Sequence, residues 1–93
     1  MYGSDMGRSI EDAIFALLAE RDPGKTICPS EAARSAWSGP EPDGWRGLMP
    51  QVRATAVGLA RSGRLVITRK GKAADPNSFK GVYRLRLPDG EAS

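Results

Sequence analysis

The hydrophobic pattern of the chain changes its period at Gly63, and this change limits the folds that the chain can adopt. Before Gly63, apolar residues recur at the three- and four-residue spacing of helices that bury one face. After Gly63, they alternate with polar residues, as in half-buried strands. A chain of 93 residues cannot divide its core between two independent units. The sequence therefore predicts one α+β domain, with helices first and strands last.

Three helices are predicted from the apolar stripes and from the prolines and glycines between them. Ser9 is the expected N-cap of the first helix, and proline is tolerated at the first position of a helix, where its missing N–H costs nothing. In the third helix, Val52, Ala56 and Leu59 form the buried stripe. The predicted bounds are Ile10 to Glu20 or Arg21, Pro29 onward, and Pro50 to Ser62, with a loop at 38–44 and a helical turn at 45–49.

Two antiparallel strands are predicted at Arg64–Arg69 and Val82–Leu87. The alternation points Leu65 and Ile67 inward with Tyr83, Leu85 and Leu87, and it points Thr68 outward with Arg64, Val66, Arg84 and Arg86. A brief extended segment at 26–28 should pair with a later strand. The polar stretch from Lys70 to Gly81 is predicted to be one extended hairpin loop, because it is too long for a tight turn.

This order of elements is typical of a winged helix-turn-helix domain, in which three helices pack on a small antiparallel sheet with a wing hairpin. We expect the domain to span residues 10–88, with a flexible leader at 1–9 and a flexible tail at 89–93.

The composition excludes most catalytic and metal sites. The single Cys28 cannot form an intramolecular disulfide or a zinc cluster, and the chain has no histidine. We expect no enzymatic activity, no cofactor and no metal, and we interpret Cys28 as a small buried apolar residue. The longest apolar run, residues 13–19, is too short to cross a membrane. A cytoplasmic protein is predicted.

The functional hypothesis rests on how positive and negative charges are distributed along the chain. Residues 1–45 hold 4 basic and 8 acidic residues, for a net charge of −4, and residues 46–93 hold 10 basic and 3 acidic residues, for +7. Between Arg46 and Arg86, Asp75 is the only acid. A surface of one sign binds the phosphates of duplex DNA by releasing condensed counterions, although a basic run can also be a solvated surface without a partner.

Duplex DNA is the predicted partner, bound by the third helix and the wing. The candidate binding residues are Gln51, Arg53, Thr55, Arg61, Arg69, Lys70, Lys72 and Lys80. The exposed face of the third helix also presents Ala54, Val57 and Gly58, which have no side-chain donors for base edges, so sequence specificity should be weak. Because a protein partner favours such small residues, the alternative is a protein-protein interaction or homodimerisation module. Trp37 and Trp45 are interpreted as packing residues.

Three segments, KTICPSEAAR, WRGLMPQVRATAVGLARSGRLVITRKGK and GVYRLRLP, resemble a family of small bacterial proteins known only as a domain of unknown function. The resemblance covers about residues 10–88. It implies a winged-helix fold, and it implies no ligand or activity. The chain departs from the family pattern in the SGPEPDG loop, at Gly58 and at Ser78-Phe79.

Overall fold

The computed structural model describes residues 9–22 and 24–88. Within these ranges, three helices precede a small antiparallel sheet, as the pattern predicts, and the sheet has three strands where the pattern predicts two. The elements are α1 (Ile10–Ala19), α2 (Pro29–Ala36), α3 (Met49–Arg61), β1 (Val66–Arg69), β2 (Lys72–Ala73) and β3 (Arg84–Arg86), with a 3-10 helix at Gly44–Leu48. The predicted tail at 89–93 and residues 1–8 of the predicted leader lie outside the described residues.

The two N-terminal helices begin at the residues that the sequence indicates. The hydroxyl of Ser9 accepts a hydrogen bond from the Asp12 amide at 3.1 Å, which satisfies one free N–H of α1. At the start of α2, the Cys28 amide donates to the Glu31 carboxylate at 3.4 Å, and Glu31 also pairs with Arg21 at 2.5 Å. The beginning of α2 is thus tied to the segment that follows α1.

The loop before α3 is organised by two tryptophans. The Trp37 indole donates to the Glu41 carbonyl oxygen at 2.7 Å, and its ring covers the backbone of Gly44. Trp45 is 9% exposed, and the guanidinium groups of Arg34 and Arg46 lie 4.6 and 4.7 Å from its ring centroid. Both indoles therefore pack in the fold, in agreement with the predicted packing role.

The core lies between the helices and the sheet, and each layer contributes fully buried side chains. The largest of these side chains include Ile14 from α1, Val52 from α3, Ile67 from β1 and Leu85 from β3. The predicted stripe of α3 is confirmed, since Ala56 and Leu59 are buried with Val52.

The strands are arranged in the order β2-β1-β3, so β1 has a neighbour on both sides. Ile67 lies opposite Leu85 in the β1–β3 pair. Ile27 extends the sheet beyond β3, because its N–H and C=O groups bond to those of Leu85 at 2.8 and 3.0 Å. The predicted extended segment at 26–28 is confirmed.

The connection after β1 differs from the prediction of one long loop. Lys70 (φ 54°) and Gly71 (φ 83°) form a two-residue hairpin turn, and β2 then pairs with β1. Positive φ at both central positions is the geometry of a type I′ turn, which matches the twist of the flanking strands. Lysine is rarely found in this conformation, so Gly71 is the only residue here whose type indicates the hairpin turn.

The inward and outward assignments were wrong at three positions. Thr68, predicted outward, is 4% exposed, because β1 is the central strand and the Thr68 hydroxyl donates to the Arg84 carbonyl oxygen at 3.4 Å. Leu87, predicted inward, is 43% exposed, since it follows the end of β3. Val57, predicted on the exposed face of α3, is half-buried against the core.

We predict that Gly44→Ala lowers the free energy of unfolding by about 1–3 kcal/mol, because the added methyl group would overlap the Trp37 ring. Urea denaturation measures the effect. Gly47→Ala is the matched control, since a methyl group there meets no atom of the described residues within 4 Å. Equal stability of the two variants would contradict the proposed contact.

Candidate functional site

The segment between β2 and β3, residues 74–83, packs beside α3 and is called the β2–β3 loop below. Two aromatic side chains anchor it. Phe79 and Tyr83 are 5% and 8% exposed, and their rings meet edge to face with centroids 5.0 Å apart. A polar stretch of sequence is thereby fixed on the core by its two large apolar side chains.

Arg53 joins α3 to this loop. Its guanidinium lies 3.9 Å from the centroid of the Phe79 ring, and its Nη2 atom donates to the Phe79 carbonyl oxygen at 2.8 Å. A planar guanidinium can stack on a ring and donate at its edge at the same time, which a lysine ammonium cannot do. Arg53, a predicted DNA contact, is thus held by the protein itself, although it keeps its charge and further N–H donors.

Arg61 makes a second connection between α3 and the β2–β3 loop. Its Nε atom donates to the Asn77 side-chain oxygen at 2.6 Å. Asn77 is oriented by Asp75, whose carboxylate accepts the Asn77 amide at 2.9 Å, and the Ser78 amide bonds to the Asp75 carbonyl oxygen at 3.1 Å. Asp75, the single acid between residues 46 and 88, therefore shapes a turn of the Asx type in the loop.

Arg69 holds the other end of the loop against β1. Its Nε atom donates to the Val82 carbonyl oxygen at 3.0 Å. Its Nη2 atom lies 2.9 Å from the position that a Cβ on Gly81 would occupy, so the guanidinium lies against the backbone there. Lys80 precedes Gly81 and is exposed, and Lys70 and Lys72 follow Arg69 and are exposed at the hairpin.

Six of the predicted binding residues are basic, and they contact the β2–β3 loop, belong to it or lie in the β1–β2 hairpin; we call this set the basic loop surface. Its members are Arg53, Arg61, Arg69, Lys70, Lys72 and Lys80. The salt bridges formed among residues 9–22 and 24–88 are Arg21–Glu31 and Arg64–Glu11, so within these ranges no carboxylate oxygen lies within 4.0 Å of a nitrogen of the basic loop surface.

Gln51 and Thr55, the other two predicted binding residues, lie on the opposite edge of α3. Both line an open groove bounded by the first residues of α1 and by Ala36. Thr55 is half-buried there, and Gln51 is exposed. Ala54 and Gly58 lie between this edge and the basic loop surface, and both are exposed.

Two of the four remaining basic residues of the C-terminal half, Arg64 and Arg84, make different contacts. Arg64 pairs with Glu11 at 3.0 Å and lies 5.2 Å from the Phe15 ring centroid. Arg84 donates to the Thr26 hydroxyl at 2.5 Å. Both side chains therefore contact the N-terminal part of the chain.

Sequence reasoning missed the residues that hold the loop, namely Asp75, Asn77 and Phe79. Two signals could have found them. The run Asp75-Pro76-Asn77-Ser78 is rich in turn formers, and Phe79 is the one aromatic residue between Lys70 and Gly81.

Comparison with known proteins adds a family and no activity. A family model described as "Protein of unknown function (DUF3253)" matches residues 7–88. No curated protein matches the chain. Among the helices in the described part of the chain, none is long and apolar enough to cross a membrane.

We predict that Arg53→Lys lowers the free energy of unfolding by about 1–2 kcal/mol, because the ammonium keeps the charge and loses the stacked, hydrogen-bonded geometry. Arg61→Lys is the control in the same helix. Since the Arg61–Asn77 bond is exposed, its loss should cost less than about 1 kcal/mol. Chemical denaturation measures both variants, and a cost at Arg53 no larger than at Arg61 would contradict the anchoring role.

Proposed function

The chain belongs to this family of proteins of unknown function, so its membership assigns no activity, and we propose from the geometry that it binds duplex DNA with low sequence specificity. In this proposal α3 faces the major groove, and the β1–β2 hairpin and the β2–β3 loop contact adjacent phosphates, as in a winged helix-turn-helix protein. The observation that supports it best is the basic loop surface, whose six cations have no carboxylate of the described residues within 4.0 Å.

The contacts within the basic loop surface favour a polyanionic partner. Each arginine there uses one N–H group toward the protein and keeps others for a phosphate, and its position is already restricted before binding. Restriction of this kind lowers the entropy that ordering a side chain costs on association. Duplex DNA carries one phosphate charge per about 1.7 Å of helix axis, which suits several cations on one surface.

We expect low sequence specificity because of the side chains that α3 exposes. Ala54 and Gly58 occupy the middle of its exposed face, and neither can donate a hydrogen bond to a base edge. Gln51 at the far edge is the exposed side chain best suited to read a base there, since a glutamine can bond twice to adenine. Affinity in this proposal comes from phosphates, and the protein meets DNA in the cytoplasm.

The second candidate is a homodimer or protein-protein contact through Ala54, Val57 and Gly58. The observation in its favour is that Ala54 and Gly58 are exposed and that a Cβ at Gly58 would meet no atom of the described residues within 4 Å. A second helix could therefore approach α3 closely at this point. Val57 contributes less, because it is already half-buried in the monomer.

We predict that affinity for a random-sequence duplex falls steeply between about 50 and 200 mM salt, and that Lys70→Asn reduces the slope of log K against log salt by about 1. Asparagine before glycine suits the type I′ turn, so this variant removes a charge without weakening the hairpin. Fluorescence anisotropy measures both effects.

Lys25→Asn is the control for Lys70→Asn, because Lys25 is an exposed lysine in the connection between α1 and α2. Its salt slope should equal that of the unmodified protein. Affinity that is independent of salt, or equal slopes for the two variants, would exclude the proposed surface.

Gly58→Arg separates the two candidate functions. Arginine is a better helix former than glycine and meets open space at this position, so the free energy of unfolding should rise by about 0.5–1 kcal/mol. If α3 faces DNA, the added cation should tighten duplex binding. If α3 faces a second copy, a concentration-dependent dimer should be seen by sedimentation before the substitution and lost after it.

A further inference from the structure

An open cavity of about 380 Å³ lies between the start of α2, the start of α3 and the end of the β2–β3 loop. Pro29 and Met49 contribute from the helices, and Val82 and Tyr83 contribute from the loop. Its walls are almost entirely apolar, and Val82, on its rim, is 83% exposed. Ligand cavities have volumes of about 300–1,000 Å³, so this one suits a molecule built on a single ring.

Tyr83 lines the cavity and carries an unused hydrogen-bonding group. The residue is 8% exposed, and its hydroxyl is buried without a partner among the described residues. Burial raises the pKa of Tyr83 above its ordinary value, a rise that the Arg53 guanidinium partly opposes, so the hydroxyl keeps its proton at neutral pH and can donate it. A buried hydroxyl without a partner costs free energy that an acceptor atom on a ligand would recover.

The charges beside the cavity favour an anionic acceptor. The Arg69 guanidinium lies against Gly81, which lines the cavity, and the Arg53 guanidinium is 5.9 Å from the centroid of the Tyr83 ring. Pro29 and Ser30 of α2 line the cavity, and Glu31 is the acidic residue nearest to them in sequence. Glu31 is already paired with Arg21 at 2.5 Å. The cavity thus combines apolar walls, one free donor and a positive surrounding.

We propose that this cavity binds a small aromatic carboxylate. The ring packs between Met49, Val82 and Tyr83, and the carboxylate is attracted by Arg69 and Arg53 and accepts a hydrogen bond from the Tyr83 hydroxyl. The proposal shares Arg53 and Arg69 with the basic loop surface, but it does not depend on DNA binding, because it concerns a cavity and a different class of ligand.

The test is a titration of the isotope-labelled full chain with benzoate, followed by two-dimensional amide NMR. We expect saturable shifts at Cys28, Ser30, Met49 and Gly81–Tyr83 with a Kd on the order of 1 mM, as for a ligand of this size. Benzylamine, which carries the same ring with a positive charge, should bind about tenfold more weakly. No saturable shift up to about 20 mM benzoate, equal binding of benzylamine, or shifts centred on Lys70 and Lys72 would overturn the proposal.

Tyr83→Phe isolates the role of the hydroxyl. Because this hydroxyl has no partner among the described residues, its removal should leave the free energy of unfolding unchanged or raise it. Benzoate affinity should nevertheless fall about tenfold, as for the loss of a hydrogen bond to a charged group. A variant that is equally stable and binds benzoate as well as the unmodified chain would exclude the hydroxyl as the donor.

Discussion

The contact between Arg53 and Phe79 is the interaction on which the arrangement of the C-terminal half depends. Phe79 is buried beside Tyr83, and the Arg53 guanidinium both stacks on its ring and bonds to its carbonyl oxygen. A loop of ten residues with a polar sequence would otherwise lose conformational entropy with few contacts in return. One arginine of α3 therefore holds the β2–β3 loop against the helix, and Arg61 adds a second bond from α3 to the loop at Asn77.

The same contacts give the arginines two roles that are usually assigned to different residues. Arg53, Arg61 and Arg69 each donate to an oxygen of the loop, which stabilises the fold, and each keeps its positive charge and further N–H donors. Removal of any of them changes both loop geometry and surface potential. The lysines at 70, 72 and 80 differ, because they are exposed and contribute charge without a described contact to the loop. Within the basic loop surface, the arginines therefore hold the loop in place, whereas the lysines contribute positive charge alone.

Much of the fold could be predicted because local physical chemistry specifies it. Ser9 caps α1, Pro29 begins α2, and the apolar stripe at Val52, Ala56 and Leu59 is buried. The errors occur where neighbours in space decide the outcome. Thr68 is buried because its strand is flanked on both sides, and Leu87 is exposed because the sheet ends before it. In the candidate site, the sequence identified the basic residues but not Asp75, Asn77 and Phe79. Phe79 and Asn77 bond to arginines that are 26 and 16 positions away in the chain. Asp75 forms the turn that orients Asn77 for its bond to Arg61.

By itself, the sequence determined the class of the fold, the order of its elements and the concentration of positive charge after Trp45, because periodicity, capping and composition are local properties. Only the tertiary structure decided which of those basic residues contact the β2–β3 loop. Arg53, Arg61 and Arg69 bond to it, whereas Arg64 pairs with Glu11 on α1 and Arg84 bonds to Thr26. It also decided that the Tyr83 hydroxyl is buried beside an apolar cavity without a partner among the described residues. The physical reason is that the direction of a side chain depends on contacts between residues far apart in the chain, which no local pattern records.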